Sequence, residues 1–119
     1  MKVDILMATY NGEKYLRPQI DSILNQTFKD FNLIICDDCS KDNTWKILEE
    51  YAQKDSRIKI IKNDKNLGYN KNFEKLLGFV TADYFMLSDQ DDFWLPNKVG
   101  ESYKKITSEK LNLVCSDLE

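Results

Sequence analysis

Histidine is missing altogether from this chain of 119 residues. Its absence removes triads built on an imidazole base and most zinc sites. Glycine and proline are scarce, at four and two. The first loop, Thr9-Tyr10-Asn11-Gly12-Glu13-Lys14, is not the three-glycine dinucleotide fingerprint, and the chain has no P-loop. A nicotinamide cofactor and a kinase-type phosphate cradle are therefore both disfavoured. Long apolar runs are also lacking: they stop at about four residues, as in Leu33-Ile34-Ile35-Cys36, whereas a membrane span needs about twenty. Positive charge is not in excess, with 17 basic against 20 acidic side chains and a net charge of −3. Phosphate neutralisation supplies most of the affinity of general nucleic-acid binders, so no nucleic-acid partner is expected. A metal-bridged phosphate ligand remains compatible, because the cation brings the positive charge.

Met1-Lys2-Val3-Asp4 puts an acid where a secretory apolar segment would begin, so no signal peptide is expected. The cysteines, Cys36, Cys39 and Cys115, are an odd set and read as free thiols. Together these point to the cytoplasm, with the inner face of the membrane open to the native protein.

What is present is ordinary globular composition, 42% hydrophobic and 31% charged, in one domain with a packed core. Repeats, low-complexity tracts and internal linkers are absent. Strand and helix patterns alternate. Residues 2–8, 31–36, 57–62, 83–88 and 110–116 read as short strands. Between them, residues 13–26 place Leu16, Ile20, Ile23 and Leu24 on one helical face. Trp45, Leu48, Tyr51 and Ala52 make a second stripe, with Ser40 or Asp42 as its cap. Residues 69–80 carry Phe73, Leu76, Leu77 and Val80. A last helix starts at Pro96, with Val99, Tyr103 and Ile106 on one face. This alternation predicts an α/β fold, a mostly parallel sheet with helices on both faces. Right-handed crossovers then gather the strand-to-helix loops at one edge, where ligands bind in such sheets.

Those loops hold the polar residues. Asp89-Gln90-Asp91-Asp92 sets three carboxylates within four positions, directly after the apolar Tyr84-Phe85-Met86-Leu87. Such a cluster calls for a counter-charge, and a divalent cation with oxygen ligands supplies one while bridging to a diphosphate. Asp89 and Asp91, two apart, share a side of extended backbone. A solvated acidic turn near a helix start explains the same cluster equally well. Asp37-Asp38 ends the second strand, where a carboxylate can accept from a base or ribose; capping of the next helix is the competing explanation. Tyr10 suits stacking on a base, or simply a turn with Gly12. Cys36 and Cys39 have redox spacing, but the two acids between them disfavour a thiolate. Phe93, Trp94 and Leu95 fit packing better than shielding of a site.

Taken in order, four motifs resemble the family 2 glycosyltransferases. They are Ala8-Thr9-Tyr10-Asn11-Gly12-Glu13-Lys14-Tyr15-Leu16, Asp37-Asp38-Cys39-Ser40-Lys41-Asp42-Asn43-Thr44, Asn66-Leu67-Gly68, and Ser88-Asp89-Gln90-Asp91-Asp92 with Trp94, Pro96 and Lys98. The match runs from residue 3 to about residue 117. It implies the glycosyltransferase A-type fold, cut after the fifth strand, and inverting transfer from a nucleoside diphosphate sugar. By that resemblance Ala8, Thr9, Tyr10, Asn11, Glu13, Asp38, Asn66 and Asp89 line the nucleotide-sugar pocket, with Asp38 on the base. Asp89 and Asp91 would hold Mg²⁺ or Mn²⁺. The stretch from Ser88 to Lys98 is most similar to rhamnosyltransferase-like members that build bacterial surface polysaccharides. A UDP- or dTDP-sugar donor and a saccharide or lipid-linked acceptor follow. Ala8 stands where many relatives have Pro. Relatives carry their acidic general base and acceptor site further on, so the base is expected beyond residue 119. The chain reads as a donor-binding portion, able to self-associate through the face that the acceptor half would meet.

Two other readings compete. A metal-dependent nucleotidyltransferase-like enzyme would want a phosphate loop rich in glycine and Arg or Lys near the N-terminus. A non-catalytic receiver-like module would want a phosphate-accepting Asp after the third strand, where Lys62-Asn63 stands.

Overall fold

The structure is a computed structural model that describes residues 3–89, 94–109 and 113–115, with side chains at 3–88 and 94–105. Strands and helices alternate as β1 (Val3–Thr9), α1 (Glu13–Leu24), β2 (Phe31–Asp37), α2 (Thr44–Lys54), β3 (Ile58–Lys62), α3 (Tyr69–Leu77), β4 (Tyr84–Asp89), α4 (Lys98–Glu109) and β5 (Leu113–Cys115). Every expected element is present, with ends shifted by a few residues. The strands form one sheet in the order β3-β2-β1-β4-β5, and each neighbouring pair is parallel.

Parallel strands buried on both faces need near-continuous apolar sequence. β1 is buried along its whole length, and β2 at all but Asn32. Period-two alternation sorts their side chains. Val3, Ile5, Met7, Leu33, Ile35 and Met86 face a core completed by Leu16, Ile20 and Ile23 of α1, Ile47 and Leu48 of α2, Trp94, and Val99 of α4. Leu6, Ala8, Ile34 and Cys36 face the other way, onto Phe73 and Leu76 of α3. Burying each such aliphatic side chain contributes about 1.5–3 kcal/mol. Trp94 is 1% exposed, so the packing explanation for it holds.

Two helix boundaries differ from the sequence pattern for identifiable reasons. α3 stops at Leu77 because Gly78 follows, although Phe79 and Val80 still pack on the second core. α4 starts at Lys98 instead of Pro96. The Pro96 carbonyl is committed to Thr27, whose N–H and Oγ1 donate to it at 2.8 and 3.2 Å. No helix among the described residues is long and apolar enough to cross a membrane.

Candidate functional site

The order β3-β2-β1-β4-β5 reverses direction between β1 and β4, and the carboxyl ends of these strands form a topological switch point. Ala8 and Asp89 are register partners there. Tyr10, the residue after β1, is 43% exposed. The first loop and the start of the acidic cluster are thus brought together by strand pairing alone. The Asp89 backbone ends β4 at this point. Asp91 lies outside the described residues, so the pairing of Asp89 with Asp91 around an ion does too. The donors on offer in that stretch are carboxylates, with no His or Cys, which suits a hard cation such as Mg²⁺ or Mn²⁺.

The loops after β1 and β2 are laced together. Asn11 takes a left-handed φ of 49°, which Asn tolerates well. There its N–H donates to Ser40 Oγ at 2.9 Å, and its Oδ1 accepts from the Lys41 N–H at 2.8 Å. The Gly12 N–H donates to Thr44 Oγ1 at 2.9 Å, and that hydroxyl donates on to Asp42 Oδ1. Asp42 also accepts from the N–H groups of Glu13 and Thr44, at 3.3 and 3.0 Å. Of the two cap candidates, Asp42 serves the first turn of α2 through Thr44, one position before the cap residue Asn43. Ser40 is used otherwise, donating from Oγ to Asp37 Oδ1 at 2.6 Å. Burial raises the Asp42 carboxyl, but the Thr44 hydroxyl and the N–H donors outweigh it and hold the group below the ordinary range.

Asp37 and Asp38 are adjacent acids with opposite orientations. Asp37 is fully buried and accepts from Thr9 Oγ1 at 2.8 Å, as well as from Ser40. Asp38 turns to the α3 face and organises the loop after β3. Its Oδ1 accepts from Asn63 Nδ2 at 2.9 Å and from the Leu67 N–H at 2.7 Å, and its Oδ2 accepts from the Gly68 N–H at 2.9 Å. Asn66 Nδ2 donates to the Asp38 carbonyl at 3.4 Å. Burial pushes the Asp38 carboxyl up, yet the donors from Leu67, Asn63 and Gly68 leave it below the usual carboxylate range. Neither acid caps α2.

Of the residues expected at a nucleotide pocket, Tyr10, Asn11, Glu13 and Asn66 are exposed at the carboxyl edge. Thr9 and Asp38 are buried there, at 1% and 4% exposure. Ala8 packs in the second core as the register partner of Asp89. The site also uses residues that sequence reasoning passed over. Asn63 and Asn72 are buried, and Asn63 Nδ2 donates to Asn72 Oδ1 at 2.9 Å as well as to Asp38. Asn72 Nδ2 donates to the Cys36 carbonyl at 3.0 Å, and Lys75 Nζ donates to Asn63 Oδ1 at 2.7 Å. An amide on the otherwise apolar face of α3 was the available signal. On the other face Gln19, Ser22 and Gln26 of α1 and its end are equally buried. Gln19 Nε2 donates to Ser88 Oγ at 3.0 Å, and Ser22 Oγ accepts from the Trp94 N–H at 3.0 Å. These bonds fix the residues on either side of the acidic cluster.

Cys36 and Cys39 are both free thiols. Burial pushes the Cys36 thiol up, and its Sγ lies 3.3 Å from Asn63 Oδ1. A redox pair needs the opposite shift. Asn63 itself occupies the place a receiver-like module would give to its phosphate acceptor.

The parallel sheet in the order β3-β2-β1-β4-β5, with helices on both faces, has the glycosyltransferase A-type fold. The chain belongs to glycosyl transferase family 2, whose family model matches residues 4–118. It is 39% identical to an uncharacterized glycosyltransferase of Methanocaldococcus jannaschii over 110 residues, 91% of this chain and 38% of that protein. It is 37% identical to the dTDP-rhamnosyl transferase RfbG of Shigella flexneri over 117 residues, 94% of this chain and 40% of the relative. Among solved structures it is similar to residues 1–349 of S. aureus TarS in complex with UDP-GlcNAc. The TM-score is 0.85 at 27% identity, over 92% of this chain and 32% of that one. The chain therefore spans about two fifths of the length of these curated relatives.

Proposed function

We propose that this chain is the donor-binding portion of an inverting glycosyltransferase, taking a UDP- or dTDP-sugar at the carboxyl edge of β1, β2 and β4. The observation that carries the reading is the convergence of the loops after β1, β2 and β3 on Asp38 and Asn11, beside the β4 end at Asp89. The relative named as a dTDP-rhamnosyl transferase and the structure holding UDP-GlcNAc support the donor class. In the whole protein an acceptor hydroxyl attacks the anomeric carbon. The bond to the diphosphate breaks, and the nucleoside diphosphate leaves. The hydroxyl proton passes to an acidic base that lies beyond residue 119.

In this reading Tyr10 covers the base and Asp38 accepts from it. Asp89 and Asp91 would hold Mg²⁺ or Mn²⁺, which when bound supplies charge for the leaving diphosphate. The acceptor is a saccharide or lipid-linked saccharide of a cell-surface polysaccharide, handled on the cytoplasmic side of the membrane. Free thiols at Cys36 and Cys39 fit a reducing compartment. Self-association through the face that the acceptor half would meet belongs to the same proposal, and a clean monomer by light scattering at high concentration would count against it.

Calorimetric titration of UDP and dTDP, with and without Mn²⁺, tests the donor site. Binding that needs Mn²⁺ and is lost in Asp91→Ala is the expected result. Metal-independent binding of equal strength in that variant would remove Asp91 from the site.

A further inference from the structure

Asn11 is the only Asn of the sequence that precedes a Gly. In such a pair the backbone nitrogen of the second residue readily attacks the side chain of the first, because glycine has no Cβ to obstruct the approach. The Gly12 nitrogen loses its proton and bonds to Asn11 Cγ, the Cγ–Nδ2 bond breaks, and ammonia leaves. Water then opens the succinimide at either carbonyl, giving aspartate or isoaspartate. The reaction needs a side-chain carbonyl that can take up charge and a backbone N–H that a base in water can reach.

The loops after β1 and β2 supply the first requirement and withhold the second. Asn11 is exposed, so water reaches its side chain. The Lys41 N–H donates to Asn11 Oδ1 at 2.8 Å, and a donor on that oxygen steadies the charge that builds there when Cγ is attacked. The nucleophile is held back. Gly12 is buried, and its N–H donates to Thr44 Oγ1 at 2.9 Å across 32 residues of chain. Thr44 is fully buried, and its own hydroxyl donates to Asp42 Oδ1. The Gly12 proton is shielded from hydroxide while that bond stands. Asn11 is anchored as well, since its N–H donates to Ser40 Oγ at 2.9 Å. Both residues of the pair are thus tied to the second loop and the start of α2.

We propose that Asn11-Gly12 is a self-modification site that Thr44 keeps dormant, so that deamidation there records opening of the first loop away from α2. Isoaspartate adds a methylene to the backbone, and the bonds to Ser40, Lys41 and Thr44 cannot then all keep their present lengths. The change is one-way, and it requires no nucleotide or metal.

The test follows Asn11 by peptide mapping, which separates Asn, Asp and isoaspartate, in mildly alkaline buffer. The native wild type is compared with the same chain unfolded in guanidinium chloride and with native Thr44→Val, Thr44→Ser and Gln26→Leu. The native wild type should deamidate at least about tenfold more slowly than the unfolded chain, because only the opened loop reacts. Thr44→Val keeps the shape and orphans the Gly12 N–H, which favours the opened loop and should raise the native rate about tenfold. Thr44→Ser keeps the hydroxyl and should stay near the wild-type rate. Gln26→Leu loosens the start of α4 and should leave Asn11 unaffected, which separates opening of this loop from a general loss of stability. Equal rates in the native and unfolded wild type would overturn the proposal, and that comparison decides even where Thr44→Val does not fold. A folded Thr44→Val no faster than wild type, or a Gln26→Leu that accelerates as much, would overturn it too.

Discussion

Thr9 Oγ1 and Asp37 Oδ1 meet at 2.8 Å although 28 residues separate them in the chain. They are register partners at the carboxyl ends of β1 and β2, and both are buried. The bond ties the starts of the first two loops together. Thr9→Val keeps the shape and removes the donor, leaving Asp37 with Ser40 alone. Loss of one donor to a buried charge should destabilise the fold by about 1–3 kcal/mol. Urea unfolding measures it, and a change near zero would mean that Asp37 is satisfied without Thr9.

Acid should weaken this fold partly through Asp38. Its carboxyl is held below the ordinary value of 3.8 by the N–H donors around it. A depressed carboxyl stabilises fully at pH well above 3.8, and the contribution is lost as pH falls through 3.8 and below. Asp42 and Asp55 shift the same way, the latter first through its side-chain bond to Arg57, so the acid limb is shared. Asp38→Asn should therefore be less stable than wild type at pH 7, with the difference shrinking between about pH 4 and pH 2. A difference that is constant over that range would show that Asp38 ionisation does not contribute.

The architecture was legible in the sequence because each strand is a short apolar run and each helix a stripe. β1 and β2, buried on both faces, could hardly have been anything else. The ordered motifs around Thr9, Asp38, Asn66 and Asp89 marked loops that the fold gathers at the carboxyl edge of the sheet. The division of labour within Asp37-Asp38 was not legible, because it depends on which face of the sheet each side chain takes and on partners 25 to 30 residues away. Asn63, Asn72 and Lys75 escaped for the same reason. Each reads as an ordinary polar residue until tertiary structure sets them side by side. At α2 the bond of Asp42 to Thr44 and that of Ser40 to Asp37 are both local, and the capping pattern alone did not choose between them.

Gly68 separates backbone strain from steric room. Its φ of 87° with ψ of 161° lies in a region that is essentially restricted to glycine. A Cβ there would touch nothing within 4 Å. Gly68→Ala should still cost about 1–3 kcal/mol, all of it conformational, and should loosen the N–H bond to Asp38 Oδ2. Thermal unfolding together with UDP titration checks both. Full stability in the alanine variant would mean that the loop adopts another conformation at little expense.

Cys36 and Cys39 should differ sharply towards thiol reagents. Cys36 is buried and its thiol is pushed up by burial, so little thiolate forms near neutral pH. Cys39 is partly exposed and sits in a left-handed turn with φ 64°. Brief alkylation at pH 7.5 followed by peptide mapping should find Cys39 modified and Cys36 protected until denaturant is added. Equal labelling of the two in the native protein would reopen the redox explanation.

Gln26 ties α1 to the segment that leads into α4. It is fully buried, with Nε2 donating to the Ser22 and Leu95 carbonyls at 3.0 and 2.6 Å, and Oε1 accepting from the Val99 N–H at 2.9 Å. Gln26→Leu fills the same volume and removes all three bonds. The Leu95 carbonyl keeps the Lys98 N–H, which donates to it at 3.1 Å. Val99 is fully buried, and its N–H is left without that acceptor. The expected cost is therefore that of one orphaned donor, about 1–3 kcal/mol, and it should be felt first at the start of α4. Hydrogen exchange at the Val99 amide should accelerate well beyond what the global loss of stability accounts for, while amides of β1 and β2 follow the global change. Uniform acceleration across the sheet and α4 would show that Gln26 supports the whole fold, with no special hold on this segment.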